Sequence, residues 1–91
     1  MHPVLFLCTM ALEKQLDTLK KEVTNRLYVL FMAQYKGNKL RFAKDAKCDE
    51  KAIRLLFDEG QGMTLNLMFK LCYTLNITPS ELFTGLEIKK E

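Results

Sequence analysis

The sequence predicts an all-α protein, a compact five-helix domain whose first helix is extended at its N-terminus. Three observations carry that expectation. Apolar residues recur at steps of three and four along most of the chain. Residues that start or stop helices stand between those stretches. No stretch alternates apolar and polar residues as a half-buried strand requires. The 91 residues suffice for one small domain. A domain of that size buries about 60–65% of its unfolded surface, which leaves little room for a deep cleft or a large cofactor.

The first helix is predicted from Thr9 to about Tyr35. Leu12, Leu16, Leu19 and Val23 recur at alternating steps of four and three, with Glu13, Lys14, Asp17, Lys20, Lys21 and Glu22 between them. That is a narrow seam of the kind that pairs with another helix. The same seam is compatible with packing on its own domain. Beyond Val23 it broadens to Leu27, Leu30 and Phe31, as where a helix meets a core. Gly37 ends this helix, and Asn38 is an N-cap for a short second helix over 39–46, with Phe42, Ala43 and Ala46 inward. Lys47 and Cys48 form a tight turn. Asp49 caps a third helix reaching about Asp58, with Ile53 and Leu56 inward. Glu59-Gly60-Gln61-Gly62 reads as a loop. Thr64 caps a fourth helix whose Leu65, Met68, Leu71, Cys72 and Leu75 share one face. Thr78-Pro79-Ser80-Glu81 is a capping box with proline at the first helical position, opening a short fifth helix that ends before Gly85. Three segments follow: 1–21, an N-terminal arm and helix extension that is a candidate dimerisation segment; 22–86, the helical domain; and 87–91, a charged, frayed tail.

The run from Pro3 to Leu12 is almost wholly apolar, but it is half the length that a membrane span needs. Met1-His2 supplies no Lys or Arg ahead of it, which argues against a secretion signal. The expectation is either an apolar arm that docks on the domain or on a partner, or translation that begins at Met10. Cys8, Cys48 and Cys72 are odd in number and widely spaced. No C-x-x-C pair occurs, and none has a histidine nearby, so the expectation is reduced thiols with neither a zinc site nor a disulfide. The single histidine, His2, gives no Ser/His/Asp or Cys/His set, and the carboxylates are scattered among lysines. The expectation is a protein that is not an enzyme and that has no metal, cofactor or small-molecule ligand.

Residues 39–58 have the spacing of a helix-turn-helix. Ala43 supplies the small residue where two short helices touch, Phe42 and Ala46 the inward sites of the first, and Ile53 and Leu56 those of the second. Cys48 fills the apolar site after the turn. With the downstream Met63-Thr64-Leu65 and Leu75-Asn76-Ile77-Thr78-Pro79-Ser80-Glu81-Leu82-Phe83, the chain from about Val23 to Phe83 resembles the Cro/lambda-repressor-like helix-turn-helix regulators, also called the xenobiotic-response-element (XRE) type. The resemblance implies a lambda-repressor-like DNA-binding domain over 22–86. It implies a sequence-specific transcriptional regulator, a homodimer on double-stranded DNA, cytoplasmic and nucleoid-associated, with no membrane partner. Charge points the same way. Residues 36–54 hold Lys36, Lys39, Arg41, Lys44, Lys47, Lys51 and Arg54 against Asp45, Asp49 and Glu50, so the chain's excess positive charge gathers around the motif. Lysines and arginines that merely solvate a helical surface would give the same imbalance.

By that resemblance the helix at about 50–58 enters the major groove. The implied DNA-binding residues are Asn38, Lys39, Lys47, Glu50, Lys51, Arg54 and Leu55. Asn38, Lys39 and Arg54 would meet phosphate. Lys51 would donate to guanine, Glu50 would accept from cytosine N4, and Leu55 would touch a thymine methyl. The Gly60-Gln61-Gly62 loop would offer backbone N–H groups to the same strand. The sequence departs from the family pattern at three kinds of site. Lys47 stands where the turn favours glycine, and Glu59 where a helix-ending glycine is usual. Leu55 and Phe57 are apolar where polar residues are usual. The reading helix also carries Asp49, Glu50, Asp58 and Glu59 against Lys51 and Arg54. These features suit the alternative, a protein-interaction module of the same fold that has lost DNA binding, with Leu55 and Phe57 as its patch.

Overall fold

The computed structural model describes the backbone of residues 3–87 and the side chains from residue 12 onward. It contains five helices and, among the described residues, no strand: α1 (Pro3–Tyr35), α2 (Lys39–Ala46), α3 (Glu50–Glu59), α4 (Leu65–Leu75) and α5 (Pro79–Leu82). The chain is therefore all-α. The expectations for His2, Cys8, the side chains of the apolar run and the tail beyond Glu87 lie outside the described residues. No described helix is long and apolar enough to cross a membrane.

Helix α1 starts at Pro3, six residues earlier than Thr9. Nothing between Pro3 and Thr9 breaks a helix, and proline belongs in its first turn, where an N–H has no partner to lose. At 1.5 Å per residue its 33 residues span about 50 Å. That length accounts for the long dimension of a molecule measuring 51 × 24 × 20 Å. Only the C-terminal half of α1 is embedded in the body, so its N-terminal half projects. Two successive left-handed residues, Lys36 (φ 53°) and Gly37 (φ 87°), end it.

The core gathers one stripe from every helix. Leu27 and Phe31 of α1 pack against Phe42, Ala43 and Ala46 of α2, Ile53 and Leu56 of α3, Leu71, Cys72 and Leu75 of α4, and Leu82 of α5. Each large side chain so buried contributes about 1.5–3 kcal/mol. The caps lie where the residue types place them. Asn38 Oδ1 accepts from the Arg41 N–H at 3.1 Å, Thr64 Oγ1 from Leu67 at 3.1 Å, and Thr78 Oγ1 from Glu81 at 3.1 Å. Asp49 occupies the N-cap position of α3, but its side chain makes no capping bond.

Two further expectations are corrected. Helix α3 extends to Glu59, and Gly60 closes it in the left-handed conformation (φ 67°), its N–H bonding the Leu56 carbonyl at 3.0 Å. The helix-ending glycine is thus present one residue on, and Glu59 does not replace it. On α4, Leu65 points outward at 70% exposure and Leu67 is buried instead. Most of α4 is apolar all round, so its own pattern does not choose a face. Packing against α1, α2 and α5 does.

The long-range ties are polar. Arg26 Nη1 donates to the carbonyls of Leu82 (2.9 Å) and Thr84 (2.7 Å), and its Nε pairs with Glu22 at 3.2 Å, which fastens α5 to α1. Gln34 Nε2 donates to the Leu75 carbonyl at 2.9 Å, where α4 has run out of backbone partners.

Candidate nucleic-acid interface

The α2–α3 unit is joined by a turn at Lys47, which takes the left-handed conformation (φ 55°, ψ 47°) that a glycine adopts without strain. The Cys48 N–H bonds the Ala43 carbonyl at 3.0 Å and closes the end of α2. This tight turn lets α2 and α3 share Phe42, Ala46, Ile53 and Leu56 as one apolar contact. The face of α3 opposite that contact is a stripe at helical spacing: Lys51, Arg54, Leu55 and Asp58, all exposed.

The candidate residues fall at three places. Glu50, Lys51, Arg54 and Leu55 lie together on α3. Glu50 and Arg54 are half-buried and exposed respectively, and they pair at 2.9 Å one turn apart. Lys51 makes no ion pair among the described residues. Asn38 and Lys39 start α2, and Lys39 Nζ reaches Asp58 on the last turn of α3 at 3.3 Å, so this end of α2 abuts the C-terminal half of α3. Lys47 lies at the opposite end of the unit, its side chain exposed and its carbonyl accepting from Lys70 Nζ at 3.3 Å. At the N-terminus of α2, the Lys39 N–H is bonded to the Gly37 carbonyl and the Arg41 N–H to Asn38. Two of its first three N–H groups are therefore satisfied locally and are not open donors.

Leu55 and Phe57 have different environments. A Cβ at Gly62 would stand 3.0 Å from Leu55 Cδ2, so Leu55 lies against bare backbone and holds the Gly60–Gly62 loop beside α3. Phe57 does not belong to a surface patch. Its ring packs 5.1 Å from Phe31, 5.3 Å from Tyr28 and 6.2 Å from Phe42, and it extends the aromatic core.

Several residues at or near this face carry no signal in the local sequence pattern. Lys70 adds a cation to the turn from 23 residues away. Tyr35 donates to Asp45 Oδ2 at 2.7 Å, linking α1 to α2, and that hydrogen bond holds its phenol above the usual tyrosine range. Leu65, Phe69 and Tyr73 form an exposed stripe along α4, Tyr73 at 87% exposure. Their spacing of four is visible in the sequence, but the choice of face is not. Burial raises the thiols of Cys48 and Cys72, so both are held neutral and poorly nucleophilic. No cluster of metal-ligating side chains occurs among the described residues.

Comparison with protein-family models, with curated proteins and with solved structures gives no match to this chain.

Proposed function

We propose that this protein is a sequence-specific DNA-binding transcriptional regulator with a lambda-repressor-like fold. It reads the major groove with α3 and acts as a homodimer. The observation that carries the reading is the α2–α3 unit itself. Two short helices joined at a left-handed turn present Lys51, Arg54 and Leu55 on one outward stripe, inside the most basic segment of the chain. Glu50–Arg54 and Lys39–Asp58 are surface pairs, each worth at most about 1 kcal/mol, so phosphate can displace the carboxylates at little cost. A bound operator would release Arg54 and Lys39 to phosphate and leave Lys51 and Glu50 for base edges. Such a regulator would work in the cytoplasm on nucleoid DNA.

The test is the salt dependence of binding in variants. Lys39→Gln and Arg54→Gln should each lower the magnitude of the log–log salt slope by about one unit. Lys51→Gln should relax base preference more than it changes the slope. An unchanged slope in both of the first two variants would rule out this docking face.

A second reading, a protein-interaction module of the same fold, draws on a different surface. Leu65, Phe69 and Tyr73 line α4 with little cover, and Leu40 of α2 is also exposed. On that reading Phe69→Ser abolishes capture of a protein partner while the domain stays folded. Under the DNA-binding reading the same variant leaves operator affinity unchanged.

A further inference from the structure

We infer that the projecting half of α1 is a homodimer interface, in which a second copy docks antiparallel along the seam of Leu12, Leu16 and Leu19. Among the described residues, no helix of the same chain packs on this seam beyond the body. Leu12 is 43% exposed, and Leu16 and Leu19 are only half-buried. Leu16 and Leu19 form one wall of an apolar groove, and Met63, Phe83 and Leu86 form the other, with Phe83 41% exposed. Nothing in the described chain fills it.

The order of the residues selects the occupant. Steps of four, three and four make Leu12 and Leu19 equivalent d positions, and Leu16 and Val23 equivalent a positions, of a heptad. An antiparallel pair sets a against d, which gives two layers, each made twice by the two-fold axis: Leu16 with the partner's Leu19, and Val23 with the partner's Leu12. The second pairing places the partner's Leu12 at the mouth of the groove, over the largely buried Val23 and beside Met63 and Leu86.

Charge agrees with this register. The e positions are Glu13 and Lys20, and antiparallel pairing brings Glu13 against the partner's Lys20, twice. Neither side chain has an ion-pair partner in its own chain among the described residues, although neighbouring Lys21 and Asp17 do pair at 3.8 Å. A helix seam of three turns is too small by itself for a stable interface of about 1,200 Å². The groove walls formed by Met63, Phe83 and Leu86 supply further area.

The register also fixes a distance. The axis falls between residues 17 and 18, and the α1 residues at the centre of each body, Leu27 and Phe31, lie about 11 positions away. At 1.5 Å per residue the two bodies are about 34 Å apart, one turn of DNA. That spacing rests on the DNA-binding reading. The dimer itself does not.

Analytical ultracentrifugation of the full chain tests it. The wild type should be a reversible dimer. Glu13→Lys alone and Lys20→Glu alone should each raise its Kd about tenfold, since each turns two attractions into two repulsions. The double variant Glu13→Lys/Lys20→Glu should restore the wild-type Kd. Leu12→Lys, at an exposed site, should give a folded monomer by circular dichroism. A wild type that stays monomeric at about 100 μM, near the weak end of specific association, would overturn the inference. So would a dimer indifferent to both charge reversals. A dimer that obeys the charge swap but ignores DNA would refute only the proposed function. DNA binding by a monomer would refute the interface and the homodimer, and leave standing only the reading of DNA by α3.

Discussion

Lys47→Gly should stabilise the protein. Lys47 is held at φ 55°, ψ 47° by the helix-turn-helix connection, and its side chain is exposed. For a residue with a Cβ that conformation costs about 1–2 kcal/mol relative to glycine. Glycine loses more freedom on folding and returns about 0.5–1 kcal/mol of that gain. The net expected gain is about 0.5–1 kcal/mol. For a domain of this size that raises Tm by about 3–6 °C. The interactions of the turn survive the change because all are made by backbone. The Lys47 N–H keeps its bond to the Lys44 carbonyl at 3.2 Å, and its carbonyl keeps Lys70 Nζ. Thermal unfolding followed by circular dichroism at 222 nm, a wavelength that reports helix content, reads the effect. Lys47→Ala is the control: it removes the same charge and keeps the strain, so it should gain nothing. A Lys47→Gly protein that melts below the wild type, or an equal gain in Lys47→Ala, would show that the turn is not strained at Lys47.

Phe57→Ser should destabilise the domain by about 2–4 kcal/mol, because it removes a ring packed on Phe31, Phe42 and Tyr28 and sets a hydroxyl in its place; a surface-patch residue would leave urea unfolding unmoved. Arg26→Met should cost about 1–3 kcal/mol by leaving the part-buried Leu82 carbonyl without its donor and breaking the bond to Thr84, and amide hydrogen exchange should localise the loosening to α5. The Tyr35 phenol is raised by its bond to Asp45, so it favours the folded state in its protonated form. Its contribution is complete below the unfolded tyrosine value of about 10 and is lost as pH climbs through the higher folded value. Tyr35→Phe should therefore be less stable than wild type at neutral pH, with the gap closing at the alkaline end of a pH series of melts.

Much of the architecture was legible because it is written locally. Asn38, Thr64 and Thr78 each accept a hydrogen bond from the residue three positions on, a geometry that depends on four consecutive residues and nothing else. Ile53 and Leu56 fall inward because only one face of α3 is apolar. Phe57 shares that spacing, one position after Leu56, and attention to the i, i+3, i+4 pattern would have placed it inward as well. Gly60 was likewise readable as a helix-closing glycine. The face of α4 was not. With Leu65, Leu67, Met68, Phe69, Leu71 and Cys72 crowded together, periodicity leaves Leu65 and Leu67 equivalent, and only the neighbouring helices separate them. The long-range polar contacts were beyond reach for a related reason. Lys39 and Asp58 are 19 residues apart, and Arg26 and the Leu82 carbonyl 56 apart. Their meeting is a consequence of the fold rather than of any local pattern. The seven candidate residues themselves separate into a cluster on α3, a pair at the start of α2 and Lys47 alone at the turn; the Glu50–Arg54 pair is an i, i+4 pattern legible in the sequence, whereas the pairing of Lys39 with Asp58 is not.

The proposed reading of DNA by α3 has a direct binding test. Fluorescence anisotropy of the full chain against random-sequence duplexes, repeated across a salt series and followed by sequencing of the tightest-bound fraction, tests it most directly. DNA binding by α3 predicts a linear fall of log affinity with log salt. It also predicts an enriched two-fold-symmetric motif whose half-sites lie about one helical turn apart. No binding at low salt by a protein that circular dichroism shows to be folded and helical would contradict it.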